Sequence, residues 1–240
     1  MISSVAITAT AGLLMTLSSL ITQSAFAQTP YYYQNPVDGF SIQVPNGWIV
    51  DDLNNTAPDM QSMESELGIG LLARLCPQED SLPDIGGGSK CQQGESRTVI
   101  HIFRYDDLYS RVAFFDYKDQ SKTITIADML AFHFTSLQNE GYTDFTIIND
   151  TDTTVNVTDA QTNQTVGTAS AKLLYYSYPV SFSAGSISKD LVLLVLDNDD
   201  GNTGYYVIPS FPLSSLTGPP TWQTLPPQIK QVIDSFGLVK

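Results

Sequence analysis

Phe40, Ile42 and Val44 alternate with Ser41 and Gln43, the period-two signature of a strand with one buried face. Pro45 removes a ladder donor, Asn46-Gly47 tolerates positive φ, and Trp48 and Val50 resume the apolar face. The stretch DGFSIQVPNGWIV (38–50) therefore reads as a β-hairpin whose apolar side needs a covering layer. Two segments have helical spacing and can supply one. From Thr125, residues Ile126, Met129, Leu130, His133 or Phe134, and Leu137 follow i, i+3, i+4, i+7, with Thr125 and Asp128 placed as an N-cap and its partner and Gly141 as a stop. Near the end, LPPQIKQVIDSFG puts Ile229, Val232, Ile233 and Phe236 on one stripe, with prolines in the first turn and Gly237 as terminator.

The remaining apolar runs are extended in character. TVIHIFR (98–104), RVAFFDY (111–117), FTIIN (145–149), AKLLYYSY (171–178), DLVLLVL (190–196) and GYYVIPS (204–210) are β-branched or aromatic and bounded by turn residues, and GIGLLARL (68–75) is read the same way. Short links between several of them favour an antiparallel sheet with helices on its faces, an α+β sandwich. No internal repeat or second boundary is visible, so residues 38–240 are expected to form one domain behind a short aromatic lead-in, 28–37.

Charge narrows the function classes. Eleven Lys and Arg against 25 Asp and Glu give −14, and the basic residues are scattered from Arg74 to Lys240 without a cluster to line a phosphate backbone. Nucleic acid is thereby excluded as the expected partner. An acidic excess of this kind keeps copies of a protein apart in solution.

Residues 1–27 carry no charged side chain and end in Ala25-Phe26-Ala27, a small-x-small pattern that a signal peptidase cuts, here before Gln28. The segment is read as a signal peptide. A retained membrane anchor is the alternative, although Thr8, Thr10, Thr16, Ser18, Ser19, Thr22, Gln23 and Ser24 dilute its apolar length. Export places the mature chain outside the cytoplasm, secreted or at the cell surface, and changes the reading of Cys76 and Cys91. They flank a Pro- and Gly-rich loop, and outside the cell such a pair is most simply a disulfide, closing about 15 residues and contributing roughly 3 kcal/mol. Four N-x-S/T triplets, at Asn54, Asn149, Asn156 and Asn163, are candidate glycosylation sites in polar segments.

The search for chemistry yields little. His101 falls in a predicted strand and His133 on or beside a helix stripe, and no Cys, Ser or Asp stands at a spacing that marks a nucleophile and base. GGGSK (86–90) lacks the frame of a phosphate loop. DNDDGN (197–202) is the sharpest acidic cluster: Asp197, Asp199 and Asp200 before a glycine offer the oxygen ligands that Ca²⁺ takes, but the twelfth position of such a loop is Ile208 and not Glu. A segment of Asp, Asn and Gly between two strands is otherwise an ordinary hairpin connection. Tyr31 to Tyr33, Tyr175, Tyr176, Tyr178, Tyr205 and Tyr206 could floor a carbohydrate or protein contact, or serve as core.

YQNPVDGFSIQVPNGWIV resembles the opening of the PsbP-like family, G-[FI]-x-[IL]-x-[YV]-P-x-x-W, with Gly39, Phe40, Ile42, Pro45 and Trp48 as the matching positions. The ending LPPQIKQVIDSFGLV is similar to that family's closing helix, with Ser235-Phe236 in place. The resemblance implies an α/β/α sandwich around a central antiparallel sheet, as in PsbP and Mog1 proteins. Photosynthetic members are extrinsic photosystem II subunits that help retain Ca²⁺ and Cl⁻. No ion-binding residue of theirs matches a position here, and the Cys76–Cys91 loop is an addition, so that role is not carried over. The expectation is an exported, non-catalytic domain that binds or assembles with a protein partner at the cell surface. A Ca²⁺-dependent accessory protein is the first alternative and an enzyme of unknown type the second.

Overall fold

Pro45, Asn46 and Gly47 reverse the chain as their residue types predict: the Trp48 amide donates to the Pro45 carbonyl at 3.1 Å, and Gly47 has φ +72°. The computed structural model describes residues 30–53, 69–81, 90–91, 97–109, 123–139, 141–179, 187–199, 201–211 and 224–240. The leader 1–27, Asn54, the run 111–117, most of GGGSK and Asp200 lie outside them. Ten strands are described, β1 (Tyr31–Asn35), β2 (Phe40–Val44), β3 (Trp48–Asp52), β4 (Ile69–Pro77), β5 (Val99–Tyr105), β6 (Thr146–Thr158), β7 (Thr165–Pro179), β8 (Ile187–Leu196), β9 (Gly204–Ser210) and β10 (Gly237–Val239). Helix α1 (Ile126–Asn139) lies between β5 and β6, and α2 (Pro227–Ser235) precedes β10.

The turn at Pro45 is not a hairpin. β2 is paired on one edge with β1 and on the other with β10, while β3 pairs with β4. The order across the sheet is β1-β2-β10-β6-β7-β8-β9-β5-β4-β3, so the turn joins its second strand to its last. Alternation reports which face a side chain takes and is silent on the neighbouring strand. Phe40, Ile42, Val44 and Trp48 all reach the same interior, and a corner across a curled sheet satisfies the pattern as well as a hairpin does. The curl brings the two ends of the order together, and the Tyr33 hydroxyl of β1 donates to Asp52 of β3 at 2.6 Å.

The expected sandwich of helix, sheet and helix is the architecture observed. On the inner face Ile229, Val232 and Ile233 of α2 are buried with Phe40, Leu75 and Val207 in one aliphatic core. Each such side chain contributes about 1.5–3 kcal/mol on burial. On the outer face Met129 and Phe132 of α1 pack on Leu174, Tyr176, Val192 and Tyr206. α1 begins with the predicted cap: the Thr125 amide donates to the Asp128 carboxylate at 3.0 Å, and the Asp128 amide to the Thr125 hydroxyl at 3.3 Å. It ends at Gly141, φ +93°, where the Tyr142 amide donates to the Leu137 carbonyl.

Three further expectations are corrected. Gly237 does not stop α2; Phe236 leaves the helix in extended conformation, and Gly237 is the first residue of β10. A side chain would be crowded there, because a Cβ would stand 3.0 Å from the Asn156 carbonyl oxygen and 3.3 Å from Ser41 Oγ. The sheet is not wholly antiparallel, since β10 runs parallel to β6 through Gly237 opposite Asn156 and Leu238 opposite Val157. The chain leaves α2, which packs beside β2, and enters the gap between β2 and β6. Last, the aromatic lead-in is strand β1, and the polar run after Asn149 is strand too, as β6 extends to Thr158. Both lack apolar alternation because one lies at the end of the sheet and the other has both faces in water.

Candidate functional site

His133, two turns into α1, is buried beneath the outer layer with Nε2 2.9 Å from the Tyr176 hydroxyl of β7. Burial holds its pKa down, from the usual 6.5 to about 4, so the ring is neutral at physiological pH. Rings of Phe134, Tyr176 and Tyr206 surround it at centroid distances of 5.6–5.7 Å. It is a polar member of an aromatic cluster.

His101 lies on β5, stacked on Phe103 and opposite Arg74 of β4 in the register. Arg74 in turn stands opposite Asp51 of β3, and Asp51 accepts the Lys90 amide at 2.7 Å. Burial, aided by the positive charge of Arg74, lowers the His101 pKa to about 4. The row of buried Asp51 and Arg74 and half-buried His101 is thus a polar stripe on the outer face of the sheet. Beside it Cys76 and Cys91 form a disulfide with Cα atoms 5.8 Å apart, packed with Val99 and Ile49. The disulfide fixes Cys91 beside the end of β4, next to Lys90, whose amide meets Asp51.

The acidic cluster closes on a side chain that sequence reasoning overlooked. Lys240 Nζ lies 2.5 and 2.7 Å from the two carboxylate oxygens of Asp197 and 2.9 Å from Asp199 Oδ2. Both carboxylates therefore hold an ammonium group, which works against the Ca²⁺ reading for this part of the cluster. Among the described residues no three His, Cys, Asp or Glu side chains converge as metal ligands. The segment is a hairpin connection as composition predicts: the Asp197 amide donates to Thr203, the Gly201 amide to Asp197, and Gly201 has φ +59°.

Of the tyrosines, Tyr175, Tyr176, Tyr178, Tyr205 and Tyr206 are buried, and Tyr33 is half-buried. The Tyr205 hydroxyl donates to the Asp38 carbonyl at 2.8 Å and fills the space a Cβ at Gly39 would take, 2.7 Å away. Gly39, with φ +76°, is required at that contact. Tyr31 and Tyr32 are the exposed ones. Among the candidate acceptor sites, Asn149 and Asn156 lie exposed on β6 and Asn163 in the β6–β7 turn at φ +55°.

The remaining exposed feature is β6 itself. Its first nine residues, Thr146 to Thr154, are all exposed, although β7 pairs with them along their whole length. β10 covers the opposite edge only from Asn156, and among the described residues nothing pairs with that edge before it. A bulge between Ile147 and Asn149 turns Ile147 and Ile148 outward, at 48% and 46% exposure. Lys172 of β7 bridges Asp150 and Asp152 on this strand.

No known protein family matches the sequence, and no curated protein does. Among solved structures the chain is similar to the cyanobacterial PsbP of Synechocystis sp. PCC 6803, at 14% identity, over 87% of this chain and 91% of that one, with a TM-score of 0.45. It is also similar to the Ran-binding protein Mog1p of Saccharomyces cerevisiae, at 10% identity, over 87% and 95% of the two chains, with a TM-score of 0.46.

Proposed function

We propose that the chain is an exported, non-catalytic binding module that takes an extended segment of a partner protein along the open edge of β6. The observation that carries this reading is the nine-residue exposed run Thr146 to Thr154, with an uncovered edge among the described residues and two outward isoleucines at its start. A strand edge of this kind offers a row of backbone donors and acceptors to another chain, and outward side chains supply selectivity. The net charge of −14, to which Asp150 and Asp152 contribute with only one lysine, Lys172, between them, discourages pairing between identical copies and favours a basic partner. His133, buried and neutral in an aromatic cluster, and His101, half-buried beside Arg74, have structural neighbours, which favours a non-catalytic role.

The test is capture from intact source cells, with wild-type protein and an Ile147→Lys/Ile148→Lys variant as baits. A photo-crosslinking residue at position 151 reports direct contact. One partner crosslinked at 151 and lost with the double variant supports the reading. Equal capture by both baits, or no crosslink at 151, overturns it.

A further inference from the structure

Where β10 covers β6, the same strand forms one wall of a different feature. A cleft of about 470 Å³ opens on the outer face, lined by Tyr32 and Gln34 of β1, Asn156 and Thr158 of β6, and Asn163 and Thr165 of the β6–β7 turn. That volume lies within the roughly 300–1,000 Å³ of small-ligand sites. The register explains the trough. Gln34, Ser41, Gly237 and Asn156 form one cross-strand row, so their side chains share a face, and at its centre Gly237 contributes none. Ser41, in that row between the two walls, is fully buried and is not part of the lining, so the polar surface of the cleft comes from the walls.

The chemistry of the lining selects the ligand. All six side chains are uncharged in a chain that carries −14, so the cleft matches neither a cation nor an anion. Three carboxamides each present two donors and an acceptor, and two threonines add hydroxyls. Tyr32, 56% exposed, adds an aromatic face. Paired donors and acceptors suit vicinal hydroxyls, and the ring suits the C–H face of a pyranose.

We propose that this cleft is a binding site for a neutral saccharide. It is independent of the protein contact assigned to the first nine residues of β6. The sugar has two sources. Asn156 with Thr158, and Asn163 with Thr165, are also two of the N-x-T triplets, so it can be a free glycan or one carried by the chain itself.

The experiment uses full-length protein from a non-glycosylating host, its mass verified, titrated with maltose, cellobiose and N,N′-diacetylchitobiose while amide NMR signals are followed. Saturable shifts of the Gln34, Asn156 and Asn163 side-chain amides with at least one probe support the site. Tyr32→Ala should weaken that probe by about tenfold, equivalent to roughly 1.4 kcal/mol, with the rest of the spectrum unchanged. No saturable shift with any of the three, or undiminished binding by Tyr32→Ala, overturns the proposal. Protein from a glycosylating host separates the sources: a glycan at Asn156 or Asn163 together with loss of probe binding identifies the chain's own sugar, whereas an unmodified chain that still binds identifies a free one.

Discussion

The two faces of the sheet solve the same burial problem with different materials. Under α2 the layer is aliphatic apart from Phe40, Trp48, Phe236 and a few tyrosines at its rim, and it contains no titrating group inside the physiological range. Under α1 it is aromatic, with Phe132, Tyr176, Tyr178 and Tyr206 in the core, and it encloses His133. Both layers exclude water, but only the outer one holds a group whose charge acid can restore. Packing loss should therefore be costliest on the inner side and acid sensitivity should sit on the outer side.

The largest effect is expected from Phe236→Ala. Phe236 is fully buried and stacked on Phe40, with ring centroids 6.1 Å apart. Truncation should cost about 3–5 kcal/mol in urea unfolding, leaving the pH dependence of stability unchanged. A loss below 1 kcal/mol would remove the distinction between the layers.

Acid comes next. His133 titrates near 6.5 unfolded and near 4 folded, so the unfolded chain binds the additional proton between those values. The stability due to the neutral ring is present in full above pH 6.5 and is lost as pH falls toward 4, by on the order of 3 kcal/mol. His133→Gln, which keeps a partner for Tyr176, should abolish that slope without touching the equal and separate one of His101. Parallel pH profiles for wild type and variant would assign the acid response elsewhere.

The disulfide sharpens the contrast within the outer face. Replacing Cys76 and Cys91 by serine should cost about 2–3 kcal/mol through the unfolded chain. Hydrogen exchange should rise in β3 and β4 before it rises in α1, and uniform acceleration would contradict a local role.

Lys240→Met should have the smallest effect, under about 1 kcal/mol, because the ion pair is partly in water. It should also free Asp197 and Asp199, so that millimolar Ca²⁺ raises the Tm of the variant and leaves wild type unmoved. A rise in wild type would show that calcium displaces the lysine.

Much of this body was legible in the sequence where one face of an element is buried. The i, i+3, i+4 stripe of α1, its Thr125 and Asp128 cap and the Ile229 to Ile233 stripe of α2 carry their period because water lies on one side only, whereas β8 and β9 showed as unbroken apolar runs because both of their faces are covered. The first part of β6 carries none, because side chains in water on both faces need no alternation, and β1, at the end of the sheet, buries only its second half. Strand partners were illegible for another reason: Trp48 declares that it faces inward, and nothing in the period says that β4, not β2, stands beside it. The Lys240 grip on Asp197 is joined across 43 positions, and no local motif marks such a pair. The Tyr32 cleft exists only once the order β1-β2-β10-β6 is known, since its walls are more than 120 positions apart in the chain.

That order also has a consequence for how the molecule is made. β2 receives β10 on one edge, and Phe40 receives Phe236 on its face, so the first motif of the domain to be synthesised is completed by nearly the last residues. A nascent chain therefore carries its Phe40 strand without one partner until residues 236–239 have emerged, and that part of the sheet closes through contacts of large sequence separation. Damage to Phe236 or Leu238 will be felt at Phe40 and Ser41, almost two hundred positions away, in the strand they complete.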